Sequence, residues 1–111
     1  MRKSVMSTAV HIDVSKEKIA EFCRRNHVRK LSLFGSVLRD DFGPNSDVDV
    51  LVDFESGIDG DYELLQNMRK ELEKLFGRSV DLVERQSVEN SENYIRRKHI
   101  LTHLEPVYVA R

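Results

Sequence analysis

Two aspartates one residue apart, Asp47 and Asp49, are the first candidates for chemistry in this 111-residue chain. Asp49 falls in, and Asp47 directly precedes, a segment, Val48 to Phe54, whose apolar residues alternate as a strand requires. Residues i and i+2 of a strand share a face, so both carboxylates project together, about 7 Å apart along the backbone. Carboxylates held side by side repel and are costly to keep ionised unless a cation neutralises them. A divalent ion with oxygen ligands is the usual solution, and magnesium suits a site that also takes phosphate oxygens. A lone Asp-x-Asp is more often just the wet face of a half-buried strand. The pair therefore needs further residues before it reads as a site.

Gly35 and Ser36 are the first of these. They follow a short strand, Val28 to Phe34, in which Leu31 and Leu33 alternate with polar Lys30 and Ser32, at the point where a short helix can begin. A backbone turn there presents unpaired N–H donors, and Ser36 adds a hydroxyl, an arrangement that can hold an anionic phosphate. By itself Gly-Ser is also a common turn. Arg39, one helical turn on, can add positive charge to the same pocket, although an exposed arginine is the simpler reading. Ten residues separate Ser36 from Asp47, enough to fold the turn back beside the acidic strand.

Asp81 offers a third carboxylate, in Ser79-Val80-Asp81-Leu82-Val83. An acid within a short apolar strand needs a reason to be there. Its alternation sets it opposite Val80 and Leu82, on the side of Asp47 and Asp49 if the strands are neighbours. Three acids can complete a two-metal site that holds the attacking and leaving oxygens of an in-line displacement. The bland alternative is an outward-facing acid. Asp53 would share the acidic face but reads more simply as surface.

These residues must be positioned by a small set of elements. Ser15 can cap a helix running to about Asn26, with Ile19, Phe22 and Cys23 on one apolar face. Val28 to Phe34 and Val48 to Phe54 are strands. In the second, Val48, Val50, Val52 and Phe54 point one way and Asp47, Asp49, Leu51 and Asp53 the other. Asp61 to Phe76 is the clearest helix, with Leu64, Leu65, Met68, Leu72, Leu75 and Phe76 on one face and Gly77 at the C-terminal cap. Val80 to Val83 forms a third short strand. Residues 87–93 are polar, and a last helix is expected from about Glu92 towards Leu104, bent or ended by Pro106. Ile100, Leu104, Val107 and Tyr108 would form one stripe if the helix passed the proline, serving core packing first and partner docking as the alternative.

The balance of 18 basic and 19 acidic residues argues against a dedicated nucleic-acid binder, and a solvated helix face accounts for Arg96, Arg97 and Lys98. His99 and His103 have chelating i, i+4 spacing but no third ligand nearby. Cys23 is the one cysteine, so no internal disulfide forms and a reducing cytoplasm is expected. No run of about 18 apolar residues predicts a membrane span. Residues 1–14 read as a flexible lead-in and 15–111 as a single domain.

Leu33-Phe34-Gly35-Ser36-Val37-Leu38-Arg39, followed by Asn45-Ser46-Asp47-Val48-Asp49-Val50-Leu51-Val52, resembles the minimal nucleotidyltransferase (MNT) family of the polymerase-beta-like superfamily. The resemblance implies an α+β fold, a small mixed sheet flanked by helices. It implies that Asp47 and Asp49 bind two magnesium ions carrying ATP, and that Asp81 shares a metal and helps to deprotonate the attacking hydroxyl. Gly35 and Ser36 would hold the triphosphate, with Arg39 beside them. Val37-Leu38-Arg39-Asp40 departs from the family's usual Ala-Arg-Gly-type stretch. Members of this size commonly act as antitoxins to HEPN-domain ribonucleases and are similar to enzymes that transfer AMP to a tyrosine of that toxin. A chain this short has little material for an acceptor lobe, which suits completion by a partner. A binding antitoxin that only masks the toxin, and a small-molecule nucleotidyltransferase, are the alternatives.

Overall fold

The computed structural model describes residues 15–38 and 46–110. Helix α1 (Lys16–Arg25) starts where the Ser15 hydroxyl accepts the Lys18 N–H, and it buries Ile19, Phe22 and Cys23. Strand β1 (Val28–Phe34) runs into a short 3-10 helix (Gly35–Leu38). Strand β2 (Val48–Phe54) leads to α2 (Tyr62–Phe76), where the Asp61 carboxylate caps the Leu64 N–H at 2.8 Å and Gly77 closes the far end. Then come β3 (Val80–Glu84), α3 (Arg85–Glu89), α4 (Tyr94–Thr102) and β4 (Glu105–Val109).

The four strands form one mixed sheet in the order β3-β2-β1-β4. β1 pairs antiparallel with both β2 and β4, whereas β2 and β3 run parallel, as their connection through α2 requires. The α+β architecture expected from the sequence is the one observed.

The sheet has two unequal faces. Val48, Val50, Val52 and Phe54 join Leu31, Leu33, Val80 and the apolar faces of α1 and α2 in the main core. The opposite face carries a smaller cluster of Phe34, Leu51, Val88 and Ile100, with Val83, Leu101 and Leu104 packed against it. The period of two in β2 thus divides the strand as its sequence pattern dictates.

The expected last helix is present as α4, and two elements at the C-terminal end, α3 and β4, go beyond the expected set. The polar stretch near residue 87 contains α3, a single short helix that buries only Val88. Too few apolar residues face inward for periodicity to reveal it. The last helix stops at Thr102, and the chain turns into β4 rather than continuing through Pro106. β4 is an edge strand, where a proline's missing N–H is tolerated. The stripe from Ile100 to Tyr108 is accordingly not a helix face. Ile100 is buried in the smaller cluster, and Val107 and Tyr108 pack against the main core.

Cys23 is fully buried, and burial pushes its thiol up to about 12. His99 and His103 pack with tilted rings, centroids 5.1 Å apart, and His103 Nδ1 contacts the His99 carbonyl, a local helix-end arrangement. Among the described residues, no helix is long and apolar enough to cross a membrane. The expected lead-in, 1–14, lies outside the described residues.

Candidate active site

Three elements meet at one end of the sheet: the end of β1, the start of β2 and the start of β3. Phe34, the last residue of β1, pairs with Asp49. The next residue, Gly35, has φ +75°, a left-handed conformation in which a side chain is strained. A Cβ added there would strike the Asp49 carboxylate at Oδ2. Glycine is therefore required twice over, by the turn and by the carboxylate lying against it. The Gly-Ser turn does fold back onto the acidic strand.

Asp49 and Asp81 are direct register partners of the parallel β2–β3 ladder. Partners in adjacent strands lie about 4.8 Å apart and project from the same face. The alternation of β3 agrees: Val80 and Leu82 contribute to the main core, and Val83 to the smaller cluster on the other face. Asp81 itself is exposed and Asp49 half-buried. Asp47 stands just before β2 and is exposed. The expected pair of strand-borne acids is thus one strand residue and one at the strand's mouth. Ser36 lies in the 3-10 helix beside them, and Arg39 falls outside the described residues.

The mouth is pinned from behind. The Val48 N–H donates to the Ser79 carbonyl at 2.9 Å. Arg78 Nη1 donates to the Ser46 carbonyl at 3.1 Å. Glu73 Oε2 accepts the Val80 N–H at 3.0 Å and pairs with Arg69 at 2.9 Å. Sequence reasoning did not single out Arg78 or Glu73. Arg78 reaches a residue 32 positions away, and no local pattern encodes that contact. Further along the face, beyond Asp81, an open pocket has Val83 and Ile100 in its walls with Ser87, Arg96 and Arg97 around them.

Among the described residues, no three His, Cys, Asp or Glu side chains converge into a ready-made metal cage. The donor set is instead open: carboxylates at the ends of two neighbouring strands, with Asp49 against the Gly35 turn. Magnesium commonly binds through one or two carboxylates, keeping its remaining positions for water and substrate phosphates. The residues present fit that mode.

The comparisons with known proteins bear directly on this geometry. Residues 16–102 match the nucleotidyltransferase domain family. The chain belongs to that family. The match takes in all four strand-end and turn residues just described, Gly35, Asp47, Asp49 and Asp81. A protein of Methanocaldococcus jannaschii assigned as a protein adenylyltransferase is 32% identical over 82 residues, covering 71% of this chain and 83% of the relative. Two solved structures share the fold. One is a toxin–antitoxin complex with AMP-PNP, at TM-score 0.64 and 20% identity, covering 86% of this chain and 74% of that one. The other holds a tri-AMPylated HEPN toxin of Shewanella oneidensis with its MNT antitoxin, at TM-score 0.57 and 20% identity, covering 86% and 70%.

Proposed function

We propose that this nucleotidyltransferase is an antitoxin-type protein adenylyltransferase, moving AMP from ATP to a tyrosine hydroxyl of a HEPN-domain ribonuclease toxin and so neutralising it. The observation that carries the reading is the meeting of Gly35, Asp49 and Asp81 at one strand mouth. The relative assigned as an adenylyltransferase, and the complex in which an MNT antitoxin accompanies an AMPylated HEPN toxin, support the reaction and the partner. The AMP-PNP complex supports ATP as the donor.

In this reading Asp47, Asp49 and Asp81 would hold two magnesium ions. Bound magnesium would neutralise the triphosphate and stabilise charge developing on the transferred group. The backbone at Gly35 and Ser36 orients the triphosphate, with Arg39 adding charge. Asp81 takes the proton of the acceptor hydroxyl, whose oxygen attacks the α-phosphorus. The bond to the departing pyrophosphate breaks, leaving AMP on the tyrosine. Residues 15–111 would act as the catalytic domain. The ATP requirement and the buried, unpaired Cys23 thiol fit a cytoplasmic setting.

The test uses the purified protein, α-labelled ATP, magnesium and the HEPN-type protein encoded beside it. Label on the toxin, lost with Asp49→Ala, is the expected outcome. A protein that binds AMP-PNP yet never labels that partner would sink the proposal. The apolar stretch that could have served a purely masking antitoxin is largely occupied in packing, so no observation favours that alternative.

A further inference from the structure

Asp47 lies one residue outside β2, so the ladder alone does not hold it. What holds its segment is the turn between α2 and β3. The Ser79 carbonyl takes the Val48 N–H on one side of Asp47, and the Arg78 guanidinium takes the Ser46 carbonyl on the other. Arg78 is part-buried in doing so, and it lies between the α2 cap at Gly77 and the start of β3 at Val80, three residues before Asp81. The same short turn therefore carries Asp81 into register with Asp49 and grips both neighbours of Asp47. A planar guanidinium is a rigid donor, and its charge strengthens a hydrogen bond to a carbonyl.

We propose that Arg78 is a positioning residue for the metal–nucleotide site: it clamps Ser46 and so holds the Asp47 segment at the mouth of β2, the strand that carries Asp49. This rests on the metal-binding reading of those acids and adds a residue that acts through them. Outer residues that orient metal ligands typically contribute about 10–100-fold to metal affinity or activity. That is the scale expected for removing the clamp.

The experiment compares the wild type with Arg78→Met, which keeps an apolar stem without the donor, and Arg78→Lys, which restores one donor. Manganese binding in the presence of AMP-PNP is measured by electron paramagnetic resonance. Hydrogen exchange at the Val48 and Asp49 amides and thermal unfolding are followed in parallel. Arg78→Met is expected to weaken manganese binding by about 10–100-fold. It should also speed exchange at the β2 mouth while leaving the amides of α1 protected, and Arg78→Lys should recover most of the affinity. Unchanged manganese affinity in Arg78→Met overturns the proposal. So does an equal loss in both variants that tracks global unfolding, since that marks a purely structural role. Wild-type protein that binds manganese and AMP-PNP but labels no toxin removes the proposed function and leaves this comparison standing. Wild-type protein that takes up no manganese overturns both.

Discussion

The paired strands β2 and β3 carry acids at both ends, and the two ends are built differently. At the start, Asp49 faces Asp81 in register, with Asp47 just outside and the Gly35 turn folded against Asp49. At the far end, Asp53 pairs with Arg29 of the neighbouring strand. There Glu84 lies near Asp53 and Asp59 on the wall of a small open pocket. Burial, reinforced by those two acids, raises the Glu84 carboxyl above its ordinary value. Composition alone does not distinguish the ends. The difference is that one has a backbone turn fitted to its carboxylate, and the other has a surface arginine. A backbone turn fitted to a carboxylate is what sets one acidic end apart from the other.

The sharpest break of this comparison is substitution of matched acids. Asp49→Ala is expected to lower AMP transfer by at least about 1000-fold, because metal-borne charge stabilisation is worth several kcal/mol and each 1.36 kcal/mol is tenfold. Asp53→Asn should leave the rate within about threefold, since an exposed ion pair contributes little. A steady-state labelling assay with both variants decides it. Equal losses would erase the distinction between the two ends.

Matched glycines give the next contrast. Gly35→Ala forces a Cβ onto the Asp49 carboxylate at a strained φ. A displacement of about 1 Å at a reacting group can cost about 100-fold in rate, and that loss is expected here. Gly57, at the far end, has φ +85° but open space where a Cβ would go. Gly57→Ala should cost only about 1–2 kcal/mol of backbone strain, read by denaturant unfolding, with AMP transfer per folded molecule preserved.

The smallest expected effect is electrostatic. A carboxyl whose value is raised by folding binds its proton more tightly in the folded state. Glu84 therefore contributes stability at low pH and loses it as pH rises from the ordinary carboxylate range through the raised folded value. Glu84→Gln should be slightly more stable than the wild type at neutral pH. The two should converge as pH falls below the ordinary carboxylate range. Thermal unfolding across that range checks the sign, and a variant less stable at neutral pH would contradict it. Thiol reagents supply a control on the core: at pH 8 Cys23 should react only on unfolding, because its fully buried thiol is held at about 12.

Much of this protein was legible from local pattern. Val28–Phe34 and Val48–Phe54 follow from alternation, and α1 and α2 from their apolar faces with Ser15, Asp61 and Gly77 at the caps. Each is a short-range property of consecutive residues, so sequence spacing suffices. The β4 strand was not legible, because Glu105–Val109 becomes a strand by pairing with β1, far away in the chain. Nor was α3, whose one buried side chain needs the smaller cluster to bury it.

The site divides along the same line. The types and spacing of Gly35, Ser36, Asp47, Asp49 and Asp81 are properties of the chain itself, and they named the candidates. Tertiary structure alone decided that Asp81 sits opposite Asp49 and that Gly35 abuts its carboxylate. It alone brought Arg78 to the Ser46 carbonyl. Those are contacts between segments tens of residues apart, set by strand order and register rather than by any local preference.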